Sequence, residues 1–128
     1  MNRLMNLRWP ENIIKTINLL IMIKFHHSPH EKKLVCKFKG KLDTNVCIQV
    51  AVQITDKITE IKDPAELIHS GFIVFDLEEV NYIASSFIRI CISTAKTAEK
   101  GNFSITNSNP FIKKTFKIAG LDEMLNVR

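Results

Sequence analysis

The sequence predicts an α/β domain: a mixed, mostly parallel sheet of about four strands with helices mainly on one face. Three observations point there. Phe72-Ile73-Val74-Phe75 is an unbroken apolar run bounded by Gly71 and Asp76, the pattern of a central strand buried on both faces. Segments of helical periodicity alternate with short strand-like runs through the second half, which favours parallel pairing. The chain has 128 residues, 45% hydrophobic and 24% charged, which is enough apolar material for one domain with its own core.

Element by element, Met22 to His27 reads as a short strand and His27-Ser28-Pro29-His30-Glu31 as a turn. Lys33 to Lys39 alternates, with Leu34, Cys36 and Phe38 on one face, and this strand is expected to end at Gly40. Asp43 or Thr44 can cap a following helix. Val46 to Ile54 is ambiguous. Val46, Ile48, Val50, Val52 and Ile54 alternate like a strand, whereas Cys47, Val50, Ala51, Ile54, Ile58 and Ile61 fit one helix face. Its β-branched content favours the strand.

Lys62-Asp63-Pro64 breaks whatever precedes it. After the central strand, Ser85-Ser86 can cap a helix with Phe87, Ile88, Cys91, Ala95 and Ala98 on its apolar face, closed by Gly101. Phe103 to Thr106 is a further strand. Asn109-Pro110 then supplies an N-cap and a first-turn proline for a helix that uses Phe111, Ile112, Phe116 and Ala119 and runs to Gly120.

Charge is unevenly distributed. Residues 1–41 hold nine bases against two acids, a net of +7, while residues 42–128 hold nine bases against 11 acids, a net of −2. A nucleic-acid surface would cluster bases and aromatics on the folded body, so no nucleic-acid partner is expected. The three cysteines, Cys36, Cys47 and Cys91, have no Cys-x-x-Cys spacing and suit a reducing, cytoplasmic setting. Residues 1–21 read as an N-terminal extension, weakly ordered or forming an amphipathic helix from Ile13, Ile14, Ile17, Leu20 and Ile21, with the domain proper at 22–128. No apolar stretch is long enough to span a membrane.

Catalytic signatures are sparse. His26, His27 and His30 cluster at a turn but lack the carboxylate or thiolate that a metal site usually adds, so no metal is expected. Asp76, Glu78 and Glu79 have no neighbouring base in sequence. His69 stands alone before the central strand. Phosphate loops and nucleophile elbows are absent. The expectation is a non-enzymatic module with no cofactor.

Five landmarks, in order, carry a family resemblance: Gly40-Lys41-Leu42-Asp43; Ile73 through Ser86; Ala98-Glu99-Lys100-Gly101; Asn107-Ser108-Asn109-Pro110; and Phe116 through Leu121. Over about residues 22–127 the chain resembles the STAS domain of bacterial anti-sigma-factor antagonists. The resemblance implies a STAS-type α/β sandwich and makes the ambiguous Val46 segment the first helix. It implies a partner-switching regulator that binds an anti-sigma serine kinase or similar regulatory protein and is released by serine phosphorylation. The alternative it carries is a STAS subunit or scaffold of a membrane transport system.

By resemblance, the phosphoacceptor is Ser85, with Ser86 as the second choice. The partner surface is Asp43, Thr44, Ala84, Ser85, Ser86, Phe87, Asn107 and Ser108. The family motif is close to Asp-Ser-Ser-Gly, and this chain departs from it with Ala84 in place of the acid and Phe87 in place of the glycine. Physical chemistry supports the location: a helix N-terminus offers unpaired N–H groups and a favourable dipole to an anion. Ser85 reads equally as an N-cap. Phe87 either packs on the sheet or, if exposed, anchors a partner.

Overall fold

The computed structural model describes Pro10, Ile13, residues 22–99 and residues 102–128. The readings of residues 1–21 as an extension and of Gly101 as a helix terminator otherwise lie outside the described residues. The strands are β1 (Ile23–Ser28), β2 (Lys33–Leu42), β3 (Phe72–Ile83) and β4 (Phe103–Thr106). The helices are α1 (Thr44–Glu60), α2 (Pro64–Ser70), α3 (Ser85–Thr97) and α4 (Pro110–Ile118). The sheet order is β1-β2-β3-β4. β1 runs antiparallel to β2, and the β2–β3 and β3–β4 pairs are parallel. This is the mixed, mostly parallel sheet that the alternation of strands and helices predicts.

Strand alternation decides which residues form the core. Leu34, Cys36 and Phe38 on β2, Ile73, Phe75 and Leu77 on β3, and Phe103 and Ile105 on β4 are all buried. The intervening Val35, Val74 and Ser104 are only half-buried. β3 is therefore buried on one face, not on two as its apolar run suggests; Phe72 at its start is exposed. Phe75 packs edge-on against Phe38 and Phe103, with ring centroids 5.0 and 4.9 Å apart. These contacts make the centre of the sheet its most aromatic part.

The ambiguous segment is helix α1. Asp43 caps it, its carboxylate accepting a hydrogen bond from the Val46 N–H at 2.9 Å. Cys47, Val50 and Ile54 form the buried stripe. The strand-like alternation of Ile48 and Val52 is thus set aside, and both side chains face solvent. Packing on the sheet outweighs the β-branched preference, which is worth only tenths of a kcal/mol per residue.

β2 does not stop at Gly40. Gly40 takes a left-handed φ of 87°, and the β2–β3 register shifts beside it. A bulge of this kind lets the strand continue, so that Leu42 reaches the core. After the Lys62-Asp63 break a short helix, α2, follows that the periodicity does not reveal. Asp63 caps it and Leu67 is its buried residue. At its end, His69 Nδ1 lies 2.8 Å from the Glu99 carboxylate.

Two expectations for the last part of the chain meet different fates. Asn109 caps α4 as predicted, accepting from the Ile112 N–H at 2.8 Å, with Pro110 in the first turn. Phe111, however, is not on the buried face, which consists of Ile112 and Phe116. Beyond α4 the chain returns beside β4: the Arg128 N–H donates to the Ile105 carbonyl at 2.9 Å, and Leu125 is fully buried.

Candidate functional site

The parallel pairing of β2 and β3 carries both chains to the same edge of the sheet, with Leu42 and Ile83 as the last register pair. Each strand passes directly into a helix, so the N-termini of α1 and α3 start side by side. The Ala84 N–H donates to the Leu42 carbonyl at 2.9 Å and locks the two turns together. The Ser86 hydroxyl donates to the Thr44 hydroxyl at 3.3 Å, although these residues are 42 apart in sequence. Open α/β sheets place ligands at such a carboxyl edge.

Ser85 is exposed, Ser86 half-buried and Thr44 exposed. The N-cap of α3 is Ala84, not a serine, and no side chain caps this helix. The expectation that Ser85 is the N-cap is therefore corrected: Ser85 and Ser86 stand in the first turn itself. A helix begins with backbone N–H groups that have no partner within it. The Ala84 N–H is taken by the Leu42 carbonyl and the Phe87 N–H by the Ala84 carbonyl, so the Ser85 and Ser86 N–H groups and the positive end of the dipole are what remains beside the Ser85 hydroxyl.

Phe87 is a second correction. Its side chain is fully buried. The ring lies edge-on to Phe38 at 5.2 Å and tilted to Phe75 at 6.0 Å between centroids. As the third residue of α3, Phe87 faces the sheet, because a first-turn side chain there projects back over the strand that feeds the helix. It cannot meet a partner.

Asn107 and Ser108 follow β4, which runs parallel to β3. Asn107, in the left-handed region at φ 60°, donates through Nδ2 to the Asp76 carboxylate at 3.2 Å. Asp76 precedes Ile83 by seven residues, about 20 Å along a strand. The Ser108 hydroxyl is buried and has no hydrogen-bond partner among the described residues. The eight residues assigned to one surface thus divide into a serine-turn group of Asp43, Thr44, Ala84, Ser85 and Ser86, the buried Phe87, and the loop pair Asn107 and Ser108, which begins beside Asp76 and leads to Asn109, whose Nδ2 donates to the Val80 carbonyl at 3.5 Å.

The structure also adds residues to this edge. Ile48 and Val52, one turn apart and about half exposed or more, form an apolar ridge on the helix that begins at Thr44. Their strand-like alternation is the signal that hides them, since it reads as sheet rather than as an exposed helix ridge. Lys41 and Tyr82 are paired across β2 and β3 one step before the turn, with the ammonium 5.3 Å from the ring centroid. Tyr82 is exposed, as an outward position next to Ile83 should be.

The remaining chemistry is inert. Cys36, Cys47 and Cys91 are buried free thiols. Burial pushes Cys36 up to about 12, partly offset by the nearby Lys57 ammonium. Burial, reinforced by the Asp43 carboxylate, raises Cys47 to about 11, and Cys91 is raised well above the usual thiol value. Nucleophilic thiols are lowered, not raised. His26 and His27 occupy successive positions of β1 and so point to opposite faces of the sheet. Among the described residues no group of three His, Cys, Asp or Glu side chains is placed to hold a metal ion. Likewise, no described helix is long and apolar enough to cross a membrane.

Comparison with known proteins agrees with this architecture. The unphosphorylated anti-sigma factor antagonist SpoIIAA superposes with a TM-score of 0.64 at 18% identity, covering 83% of this chain and 87% of that one. Its phosphorylated form from Bacillus gives 0.58 at 18% identity, covering 83% and 90%. An anti-sigma factor antagonist from Mycobacterium paratuberculosis gives 0.64 at 18% identity, covering 82% and 84%. A search of curated proteins finds no match. A family model for the STAS domain matches residues 21–128, and the chain belongs to the STAS domain family.

Proposed function

We propose that this protein is a non-enzymatic regulatory module that binds a partner protein through the α1/α3 edge and is switched by phosphorylation of Ser85. The observation that carries the reading is the uncapped N-terminus of α3, with an exposed Ser85 in its first turn beside the start of α1. The similarity to anti-sigma factor antagonists, one of them solved in unphosphorylated and phosphorylated forms, supports the same partner class: an anti-sigma serine kinase or a related regulator.

In this mechanism the partner's acceptor groups take the free N–H donors of the turn while apolar side chains settle on Ile48 and Val52. The apolar anchor first assigned to Phe87 belongs to that ridge. Phosphorylation transfers the γ-phosphoryl group of ATP to the Ser85 oxygen, with ADP leaving and the hydroxyl proton passing to a base of the kinase. The product carries about 1.5 to 2 negative charges and three acceptor oxygens. The α3 dipole and N–H groups stabilise it in place. The donors are then satisfied internally and the turn repels the acceptors it held before. Ala84, which replaces an acid of the family motif, leaves this turn without a like charge before the phosphate.

The test is a binding titration against an anti-sigma serine kinase from the same organism. Ser85→Ala should retain binding, and Ser85→Asp should weaken it by roughly tenfold or more, the loss of one charge-assisted contact of about 1.5 kcal/mol. Equal affinity of the two variants would overturn the switch.

A further inference from the structure

Helix α4 presents a face that neither the core nor the serine turn uses. Its buried residues, Ile112 and Phe116, are four apart and hold one side. On the other side, Phe111 and Ile118 are 74% and 76% exposed, the most exposed large apolar side chains among the described residues. At 100° per residue, Phe111 and Ile118 point the same way, with Lys114 about 50° to one side of them, Lys117 about 110° round on that side and Lys113 about 150° away. All three lysines are exposed. The helix contains no acid, and none of its lysines lies within ion-pair distance of a carboxylate among the described residues.

We infer that this face docks on an anionic lipid surface. An apolar pair about 10 Å apart along the helix, with Lys114 beside it and Lys117 on the same flank, both without an ion-pair partner among the described residues, has the composition of a helix that lies in a membrane interface. Phe111 and Ile118 stand out from the surface as separate knobs. A protein partner would need a shaped pocket for each, whereas the boundary of a bilayer accepts both without matching. The lysines then meet headgroup phosphates. Each lysine near an anionic surface strengthens binding roughly fivefold, so Lys114 and Lys117 together contribute about 25-fold. One shallow contact of this kind gives reversible attachment, and a second basic, apolar-periodic segment is written in the sequence at residues 1–21.

The experiment is co-sedimentation of the full chain with phosphatidylcholine vesicles, with and without phosphatidylglycerol. The expected result is binding to the anionic vesicles only, weakened by salt. The K114Q/K117Q double variant should lose about 25-fold in affinity. The F111S/I118S variant should also lose most of its binding. Both sets of side chains are exposed, so the thermal melt should not move, and it is recorded as a control for folding. Wild-type affinity in both variants would overturn the inference, because attachment would then reside elsewhere in the chain. Capture of an acidic polypeptide by the same face, with no binding to anionic vesicles, would overturn it in favour of a protein partner. Neither result touches the Ser85 reading, which rests on the N-terminus of α3.

Discussion

Replacing Phe87 by glycine, the residue of the family motif at this position, should destabilise the protein severely and should not simply retune binding. The ring is fully buried against Phe38 and Phe75. Truncating a buried phenylalanine costs about 3–5 kcal/mol, a figure that already contains the aromatic contacts. Glycine in a helical turn adds about 0.5–1 kcal/mol through backbone entropy. The expected loss of about 4–5 kcal/mol compares with a total stability of about 5–15 kcal/mol for a domain of this kind. At a urea dependence of about 1–3 kcal/mol per molar, the unfolding midpoint should fall by about 1.3 M or more. Phe87→Leu, which keeps most of the volume, should cost about 1 kcal/mol and serves as the reference. Equilibrium urea unfolding followed by circular dichroism measures both variants. A loss below about 1 kcal/mol for Phe87→Gly would show that the ring does not fill the sheet-facing site, and the account of α3 packing would fail.

Three further outcomes follow from single features. Asn109→Ala should lower stability by about 1 kcal/mol in the same assay, because it removes the cap that accepts from Ile112; an unchanged midpoint would mean α4 starts elsewhere. Gly71→Ala should cost about 3 kcal/mol, since the new Cβ would lie 2.5 Å from the Lys32 carbonyl oxygen and 2.7 Å from that of Leu67, both backbone atoms; a neutral effect would place the β3 entry differently. Stability should hold below about pH 9 and fall as pH rises toward 12, because the folded thiols keep protons that the unfolded chain releases. At pH 10 Cys36 alone contributes a loss of about 1.4 kcal/mol, and Cys36→Ala should make the alkaline decline shallower in pH-dependent melts.

What the sequence reveals of this fold depends on how local each signal is. Phe103–Thr106 and the Asn109-Pro110 helix start are read correctly, because a short alternation and a cap are complete within a few residues. α2 is missed because its seven residues bury only Leu67, too few for a period to show. The strand-like pattern of α1 misleads because Ile48 and Val52 lie on the solvent side, a position decided by the sheet that the helix covers. The return of the chain beside Ile105 pairs residues about 20 apart and leaves no local trace. The site follows the same rule. Ser85 is legible from its place after the central strand, whereas its nearness to Thr44 exists only once two parallel strands end together. Phe87 is the instructive failure: next to two exposed or half-exposed serines, it turns inward by helical rotation of its side chain.

The central claim is that the uncapped turn at Ser85 accepts a phosphate, and the most direct measurement is site mapping by mass spectrometry. The full chain is incubated with ATP and an anti-sigma serine kinase from the same organism, then digested and sequenced. A single phosphate on Ser85, none in the Ser85→Ala variant, and loss of kinase binding by the modified protein are expected. Phosphate on neither Ser85 nor Ser86, with binding unchanged in Ser85→Asp, would contradict it and leave a constitutive binding module.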